Sequence, residues 1–117
     1  MADDPQSWLP LSPAILHILL ALAGEDLHGY AIMQEVTRQS ESRYKLGPGT
    51  LYDNLQKLIR HRWVQELGNR PADEDPRRRY YRLTSAGRTV LKAETDRLAG
   101  VVREARLRLQ IVKPRRS

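Results

Sequence analysis

The side chains that could carry out catalysis or bind a metal are few and scattered. Cysteine is absent, which excludes disulfides, iron–sulfur clusters and thiolate zinc sites and leaves no thiol nucleophile. The histidines at 17, 28 and 61 fall in separate parts of the chain. The sequence has no His-Glu-x-x-His, glycine-rich phosphate loop or Gly-x-Ser-x-Gly motif. We therefore expect a protein that is not an enzyme, with no metal site and no cofactor.

Arginine is the residue type whose distribution is informative. The chain has 20 Lys and Arg against 14 Asp and Glu, a formal net charge of +6. Residues 1–58 hold four bases and seven acids, net −3, so residues 59–117 hold 16 bases and seven acids, net +9. Three arginines are consecutive at 77–79. A cationic second half favours a polyanionic partner such as nucleic acid.

The length of 117 residues suits one domain with a single core. Its longest apolar run, Ala14–Ala23, contains His17 and is well short of the roughly 20 residues that a membrane-spanning helix needs. Asp3 and Asp4 occupy the place of the positive region of a signal peptide. We therefore expect no membrane association, no export and a cytoplasmic location.

Two helices are predicted at the start of the chain. Ser12 and Pro13 form a start signal, because Ser caps free amides and Pro at the first helical position lacks an N–H. This largely buried helix stops at Gly24, which is expected to close it in the left-handed conformation. A short amphipathic helix follows from about residue 28 and is expected to fray over 37–40.

A third helix follows the turn 46–50. Either Pro48 begins it or Thr50 caps it. Apolar residues recur at the i, i+4, i+7 and i+8 positions typical of one buried helix face: Leu51, Leu55, Leu58 and Ile59. The opposite face is polar and available to a partner.

Two extended segments, 63–67 and 80–84, flank the charged, turn-rich loop 68–77. Their aromatic and β-branched residues predict a long two-stranded antiparallel hairpin. Trp63, Tyr81 and Leu83 are expected in the core. The tip and its approach carry Arg70 and the arginines at 77–79.

A long final helix starts at Thr84 or Ser85 and is predicted to reach about Leu109, with Pro114 ending any helical option. At 1.5 Å per residue it extends to roughly 39 Å, longer than one small domain needs. A seven-residue repeat favours a coiled-coil seam between two copies. The seam consists of Leu91, Thr95, Leu98, Val102, Ala105, Leu109 and Val112.

Helices followed by a hairpin are the layout of a winged helix-turn-helix. Three segments in register, His28-Gly29-Tyr30-Ala31-Ile32, Pro48-Gly49-Thr50-Leu51-Tyr52 and 79–87 (Arg-Tyr-Tyr-Arg-Leu-Thr-Ser-Ala-Gly), resemble the PadR-like transcriptional regulators. The resemblance spans about residues 11–87. It implies a mainly α fold with a small β-hairpin: an N-terminal extension (1–11), a winged helix-turn-helix (12–84), a long C-terminal dimerisation helix (85–112) and a basic tail (113–117).

The resemblance implies a homodimeric repressor on an inverted-repeat operator of double-stranded DNA, with Tyr30, Gly49, Thr50 and Tyr52 at the DNA. Many members have Pro where this chain has Asp53, which puts a backbone contact at that position in doubt. The resemblance also allows for release of the DNA by a small aromatic effector. Nothing in the sequence identifies that effector.

The residues themselves suggest further DNA contacts. Asn54 suits adenine, and Lys57 suits guanine or a phosphate; alternatively both are solvated, with Asp53 and Lys57 as a surface pair. Tyr52 is expected both to reach a phosphate and to pack against the helix. The arginines at 77–79 suit phosphate or minor-groove contact, unless the loop neutralises itself. The expected DNA-binding set is Tyr30, Gly49, Thr50, Tyr52, Asn54, Lys57, Arg77, Arg78 and Arg79.

The expected dimer interface comprises the seam and the residue before the first helix. Trp8 either seals this interface or covers a hydrophobic pocket. The set is Trp8, Leu91, Leu98, Val102, Ala105 and Leu109. The rival to a DNA-binding regulator is a protein-interaction module that uses a winged-helix domain without specific DNA binding.

Overall fold

The computed structural model describes residues 4–68, 75 and 77–110. A short 3-10 helix, Pro5–Trp8, precedes four α-helices: α1 Pro13–Gly24, α2 Gly29–Gln39, α3 Pro48–Arg60 and α4 Ser85–Leu109. Three strands complete the described fold: β1 Leu27–His28, β2 Val64–Gly68 and β3 Tyr80–Leu83. The mainly α fold with a small sheet and a long C-terminal helix is confirmed.

The sheet has three antiparallel strands in the order β1-β3-β2, so the prediction of a two-stranded hairpin was incomplete. Leu27 pairs with Tyr81, and Val64 pairs with Leu83. β1 has only two residues, too few for an alternating pattern to reveal it. The predicted hairpin tip, including Arg70, lies outside the described residues.

The N-termini of the helices follow the predicted capping. The Ser12 hydroxyl accepts a hydrogen bond from the Ile15 amide at 3.3 Å, and the Thr84 hydroxyl accepts one from Gly87 at 3.0 Å. α3 begins at Pro48, after Gly47 as N-cap, so Thr50 is not its cap. These caps fix where α1, α3 and α4 enter the domain.

Two helix ends differ from the prediction. Gly24 closes α1 without the left-handed conformation, which Gly68 alone adopts among the described glycines; Glu25 is extended instead. α2 does not fray at 37 but continues to Gln39. The Thr37 hydroxyl donates to the Met33 carbonyl, which helps to hold this last turn.

One core joins all these elements. It includes Ile18 and Leu19 of α1, Ile32 of α2, and the predicted leucines of α3. Trp63, Tyr81 and Leu83 are buried there as predicted, whereas Ile59 is only partly buried. Burial of these faces holds α3 with its polar side outward.

Gly87 allows α4 to start directly against the sheet. A Cβ at this position would overlap the Trp63 carbonyl oxygen and lie 2.6 Å from a methyl carbon of Leu83. The Thr84 amide also donates to the Trp63 carbonyl at 3.0 Å. The first turns of the long helix are thereby fixed against the sheet.

Leu91 corrects the predicted dimer interface. It is 7% exposed and belongs to the core of the single chain, so its surface is already used. On the first turns of α4, the positions that face the core of the chain are also positions of the seven-residue repeat. The sequence pattern therefore cannot tell a core residue such as Leu91 from a seam residue.

Candidate nucleic-acid interface

α3 presents a polar face and free amides to solvent. Thr50, Asp53 and Lys57 are exposed opposite the buried leucines. No described side chain caps the helix start at Gly47. The first amides, those of Gly49 and Thr50 among them, are therefore available to an anion, and the helix dipole favours negative charge there.

Asn54 and Lys57 differ in their local bonding. The Asn54 side-chain amide donates to the Thr50 carbonyl at 2.8 Å and is half-buried. Contact with a base through this amide requires Asn54 to leave that bond. Within the described part of the chain, the suggested pair of Asp53 and Lys57 does not form an ion pair.

Tyr52 lies against the start of α2, a contact that the sequence did not reveal. A Cβ on Gly29 would overlap the Tyr52 hydroxyl oxygen, so the absence of a side chain at 29 makes room for this ring. His28 caps α2 by accepting a hydrogen bond from the Ala31 amide at its Nδ1. Tyr30 and Tyr52 are 60% and 45% exposed. The two tyrosines thus stand at the junction of α2 and α3.

A groove of about 330 Å³ brings the tyrosines together with the arginines. We call it the Tyr–Arg groove. Its walls come from the start of α2, the second turn of α3 and the segment before β3, and they include Gly29, Tyr30, Tyr52, Arg77, Arg78 and Arg79. Three segments of the predicted DNA-binding set, far apart in the chain, therefore share one surface.

The arginines of this groove are unequally neutralised. Arg77 forms an ion pair with Asp75 at 3.3 Å, and Arg79 approaches Glu66 at 3.7 Å. The Arg77 backbone amide, followed by its guanidinium, lowers the pKa of the Asp75 carboxyl. Arg78 has no ion-pair partner among the described residues. Among the described residues, the arginines at 77–79 are thus only partly neutralised, which leaves a surplus of positive charge along this wall of the groove.

The predicted seam of α4 beyond Leu91 is accessible. Leu98 is half-buried, Ala105 is exposed, and Val102 and Leu109 are 49% and 67% exposed. Val112 lies outside the described residues. Trp8 packs edge-on against Trp63 of its own chain at 5.4 Å between ring centroids. The described part of α4 beyond Leu91 therefore carries an accessible apolar stripe.

Glu94 is a buried carboxylate that no sequence pattern indicated. Only 1% exposed, it accepts hydrogen bonds from the Leu11 amide at 3.0 Å and from Arg97 at 2.6 and 3.0 Å. The Arg97 hydrogen bonds, with help from the Leu11 amide, hold its pKa below the ordinary value despite desolvation. Glu94 thereby ties the segment before α1 to the middle of α4.

The described residues contain no cluster of three or more His, Asp or Glu that could hold a metal ion. His17 interacts with Gln39 and stacks on Tyr44. None of the described helices is both long and apolar enough to cross a bilayer.

Residues 15–93, more than half of the chain, match the transcriptional regulator PadR-like family. The chain belongs to this family. The family is one of transcriptional regulators, not one of enzymes.

Two curated relatives show how far the likeness extends. "Transcriptional regulator Rv3488" of Mycobacterium tuberculosis is 34% identical over 89 residues, which cover 76% of this PadR-like chain and 78% of the relative. An uncharacterized 37.1 kDa protein in transposon TN4556 of Streptomyces fradiae is 41% identical over 82 residues. That match covers 70% of the PadR-like chain but only 22% of the Streptomyces protein.

Solved structures share the fold at lower identity. A PadR family transcription regulator from Clostridium difficile R20291 superposes with a TM-score of 0.70 at 20% identity, covering 85% of this chain and 99% of that one. Bacillus subtilis PadR in complex with operator DNA gives a TM-score of 0.62 at 20% identity, covering 72% and 46%. These likenesses establish the PadR-like winged-helix fold.

Proposed function

We propose that this PadR-like chain is a sequence-specific DNA-binding transcriptional regulator that acts as a homodimeric repressor on an inverted-repeat operator. The observation that carries the proposal is the Tyr–Arg groove, which joins the start of α3 to the arginines at 77–79. A related protein of the same fold, Bacillus subtilis PadR, has been solved with operator DNA. Such a regulator would act in the cytoplasm, where the bacterial or archaeal genome lies.

The expected docking places α3 in the major groove and the hairpin along the backbone. The free amides at Gly49 and Thr50 would hold one phosphate, and the hydroxyls of Tyr30 and Tyr52 would reach another. Lys57 and Asn54 lie farther along α3, where side chains meet base edges. The arginines supply the sequence-independent attraction.

Homodimerisation is proposed from the accessible stripe on α4. Leu98, Val102, Ala105 and Leu109 recur with heptad spacing on a helix that extends past the winged domain. Apolar side chains at these exposed positions gain free energy when a second copy covers them. Leu91 contributes indirectly, because it anchors the base of α4 in the core.

A protein-interaction module remains the second candidate, favoured by the same apolar stripe, which could pair with a different protein. Salt dependence separates the two functions. A DNA-binding regulator loses affinity for duplex DNA linearly in log salt, in proportion to the phosphates contacted.

The test is fluorescence anisotropy of purified protein on a labelled duplex from upstream of its own gene, from 50 to 300 mM salt, with a scrambled duplex as control. We expect tighter binding to the upstream duplex and a steep salt slope on both. No measurable binding to either duplex at 50 mM salt contradicts DNA binding. Equal affinities for the upstream and scrambled duplexes would mean that the protein binds DNA but that this fragment holds no specific site. Footprinting over a longer upstream region would then decide specificity.

A further inference from the structure

Gly29, the first residue of α2, is buried against the ring of Tyr52. A Cβ at position 29 would overlap the Tyr52 hydroxyl oxygen and lie 2.9 Å from Cζ and 3.4 Å from Cε1 of the same ring. The backbone of Gly29 is not left-handed, so its conformation does not require glycine. The missing side chain at this position therefore provides space for the Tyr52 ring.

The two sides of this contact differ in their freedom to move. The start of α2 is held to the sheet, because His28 pairs with Tyr80 of β3 and the two rings meet edge-on with 5.4 Å between centroids. The His28 ring also caps α2 at the Ala31 amide. Tyr52, by contrast, is 45% exposed, so its ring has room to turn towards solvent. A side chain at position 29 would therefore displace the Tyr52 ring rather than the start of α2.

The seat on Gly29 places the Tyr52 ring in the Tyr–Arg groove. Tyr81 and the arginines at 77–79 line the same groove. Burial, the Glu66 carboxylate and the Tyr52 hydroxyl together raise the pKa of Tyr81, so the Tyr52 hydroxyl lies near β3. A ring that is already held in place loses little conformational entropy when it binds. The seat therefore prepares the Tyr52 hydroxyl for a partner in the groove.

We propose that Gly29 is a positioning residue for DNA recognition, because its bare Cα holds the Tyr52 ring in one orientation against α2. Gly29 itself needs no contact with DNA. Through the ring, it sets where the Tyr52 hydroxyl meets a phosphate and how far that phosphate lies from the arginines at 77–79. The role rests on the proposed function and adds to it a contact that is formed before DNA binds.

Gly29→Ala tests the seat with the addition of one methyl group. Alanine is the better helix former, so we expect the fold to persist and the Tyr52 ring to turn away. Affinity for the upstream duplex should fall at least about tenfold, a loss of about 1.4 kcal/mol. The salt slope should stay unchanged, because an uncharged hydroxyl releases no counterion. The matched control is Gly24→Ala at the end of α1, where a Cβ would have no atom within 4 Å, and it should bind like the natural chain.

A double variant tests whether position 29 acts through the ring. Once Tyr52→Ala has removed the ring, a methyl group at position 29 has room, so this variant decides the question even if Gly29→Ala alone fails to fold. The double variant of Gly29→Ala with Tyr52→Ala should bind the upstream duplex as Tyr52→Ala does, within about twofold. Much weaker binding by the double variant would overturn the proposal, because position 29 would then act without the ring. Natural affinity in Tyr52→Ala would overturn it as well, because the ring would then have no role.

A measurement without DNA separates this proposal from the proposed function. The five tyrosines of the chain are replaced by 3-fluorotyrosine, and the ¹⁹F signal of residue 52 is assigned by its loss in Tyr52→Phe. Gly29→Ala should shift that signal and Gly24→Ala should not. The signal of Tyr44, which stacks on His17, should stay in place in both variants.

The outcomes of the two measurements are distinguishable. An unchanged signal of residue 52 in folded Gly29→Ala would overturn the seat. A shifted signal, together with equal affinities of Gly29→Ala and the natural chain for the upstream duplex, would overturn the positioning role. A natural chain that binds no duplex at 50 mM salt would instead contradict the proposed function, and the positioning role would fail with it while the seat itself stands.

Discussion

Arg78 offers the sharpest test of the Tyr–Arg groove. It is exposed and has no ion-pair partner among the described residues, whereas Arg77 is paired with Asp75. Arg78→Ala therefore removes a whole cation from the groove, and Arg77→Ala removes one that is already partly neutralised. We expect the larger loss of DNA affinity at Arg78.

The magnitude follows from counterion release. One phosphate contact contributes about 0.9 to the slope of log K against log salt, which is about eightfold in affinity at 0.1 M salt. A homodimer carries the substitution twice, so Arg78→Ala should flatten the slope by about 1.8 and weaken binding about sixtyfold at that salt. The loss should be similar on operator and scrambled DNA, because phosphates carry no sequence information.

The assay is the anisotropy titration over a range of salt concentrations, with Arg103→Ala as a matched control on the exposed distal part of α4. The control changes the net charge equally but lies outside the groove. An unchanged salt slope for Arg78→Ala would refute the role of the groove. Equal losses of DNA affinity for Arg78→Ala and Arg103→Ala would also refute it, because the net charge of the protein would then explain the attraction.

Three further predictions address base reading, dimerisation and stability. Asn54→Ala should relax discrimination at one or two base pairs by about 1 to 3 kcal/mol, measured on single-base operator variants; a uniform loss across sequences would argue against base contact. Leu98→Lys should give monomers in sedimentation velocity, whereas Leu107→Lys, at an exposed leucine on the helix face opposite the seam, should leave dimers. Glu94→Gln should lower the free energy of unfolding in urea by about 1.5 to 3 kcal/mol at pH 7. Because the folded pKa of Glu94 is lowered, this contribution is present above the unfolded pKa of about 4.3 and is lost as pH falls through the folded pKa; a difference that persists unchanged at pH 3 would contradict it.

Local signals in the sequence were sufficient for several helix boundaries. Ser12, Pro48 and Thr84 mark helix starts through short-range capping chemistry, and the leucines of α3 give its buried face through simple periodicity. These features depend on neighbours within a turn or two.

The features that were missed depend on partners far along the chain. β1 forms because Leu27 pairs with Tyr81 of β3. Glu94 can be buried because the Leu11 amide and Arg97 donate hydrogen bonds to its carboxylate. No sequence periodicity predicts such pairings, because they form only when the domain folds. The expected DNA-binding set comes from the sequence and stays a prediction, whereas the contact of Tyr52 with Gly29, which shapes the groove, could not be predicted from it.

The most direct measurement is selection of preferred sites from a random-sequence duplex library by the purified, full-length chain. The central claim is that two copies, joined through α4, present their α3 helices to one face of DNA about one helical turn, roughly 34 Å, apart. The selected sites should then be inverted repeats whose half-site centres are about 10 base pairs apart. Enrichment of single, unpaired half-sites, or of no sequence at all, would contradict the claim.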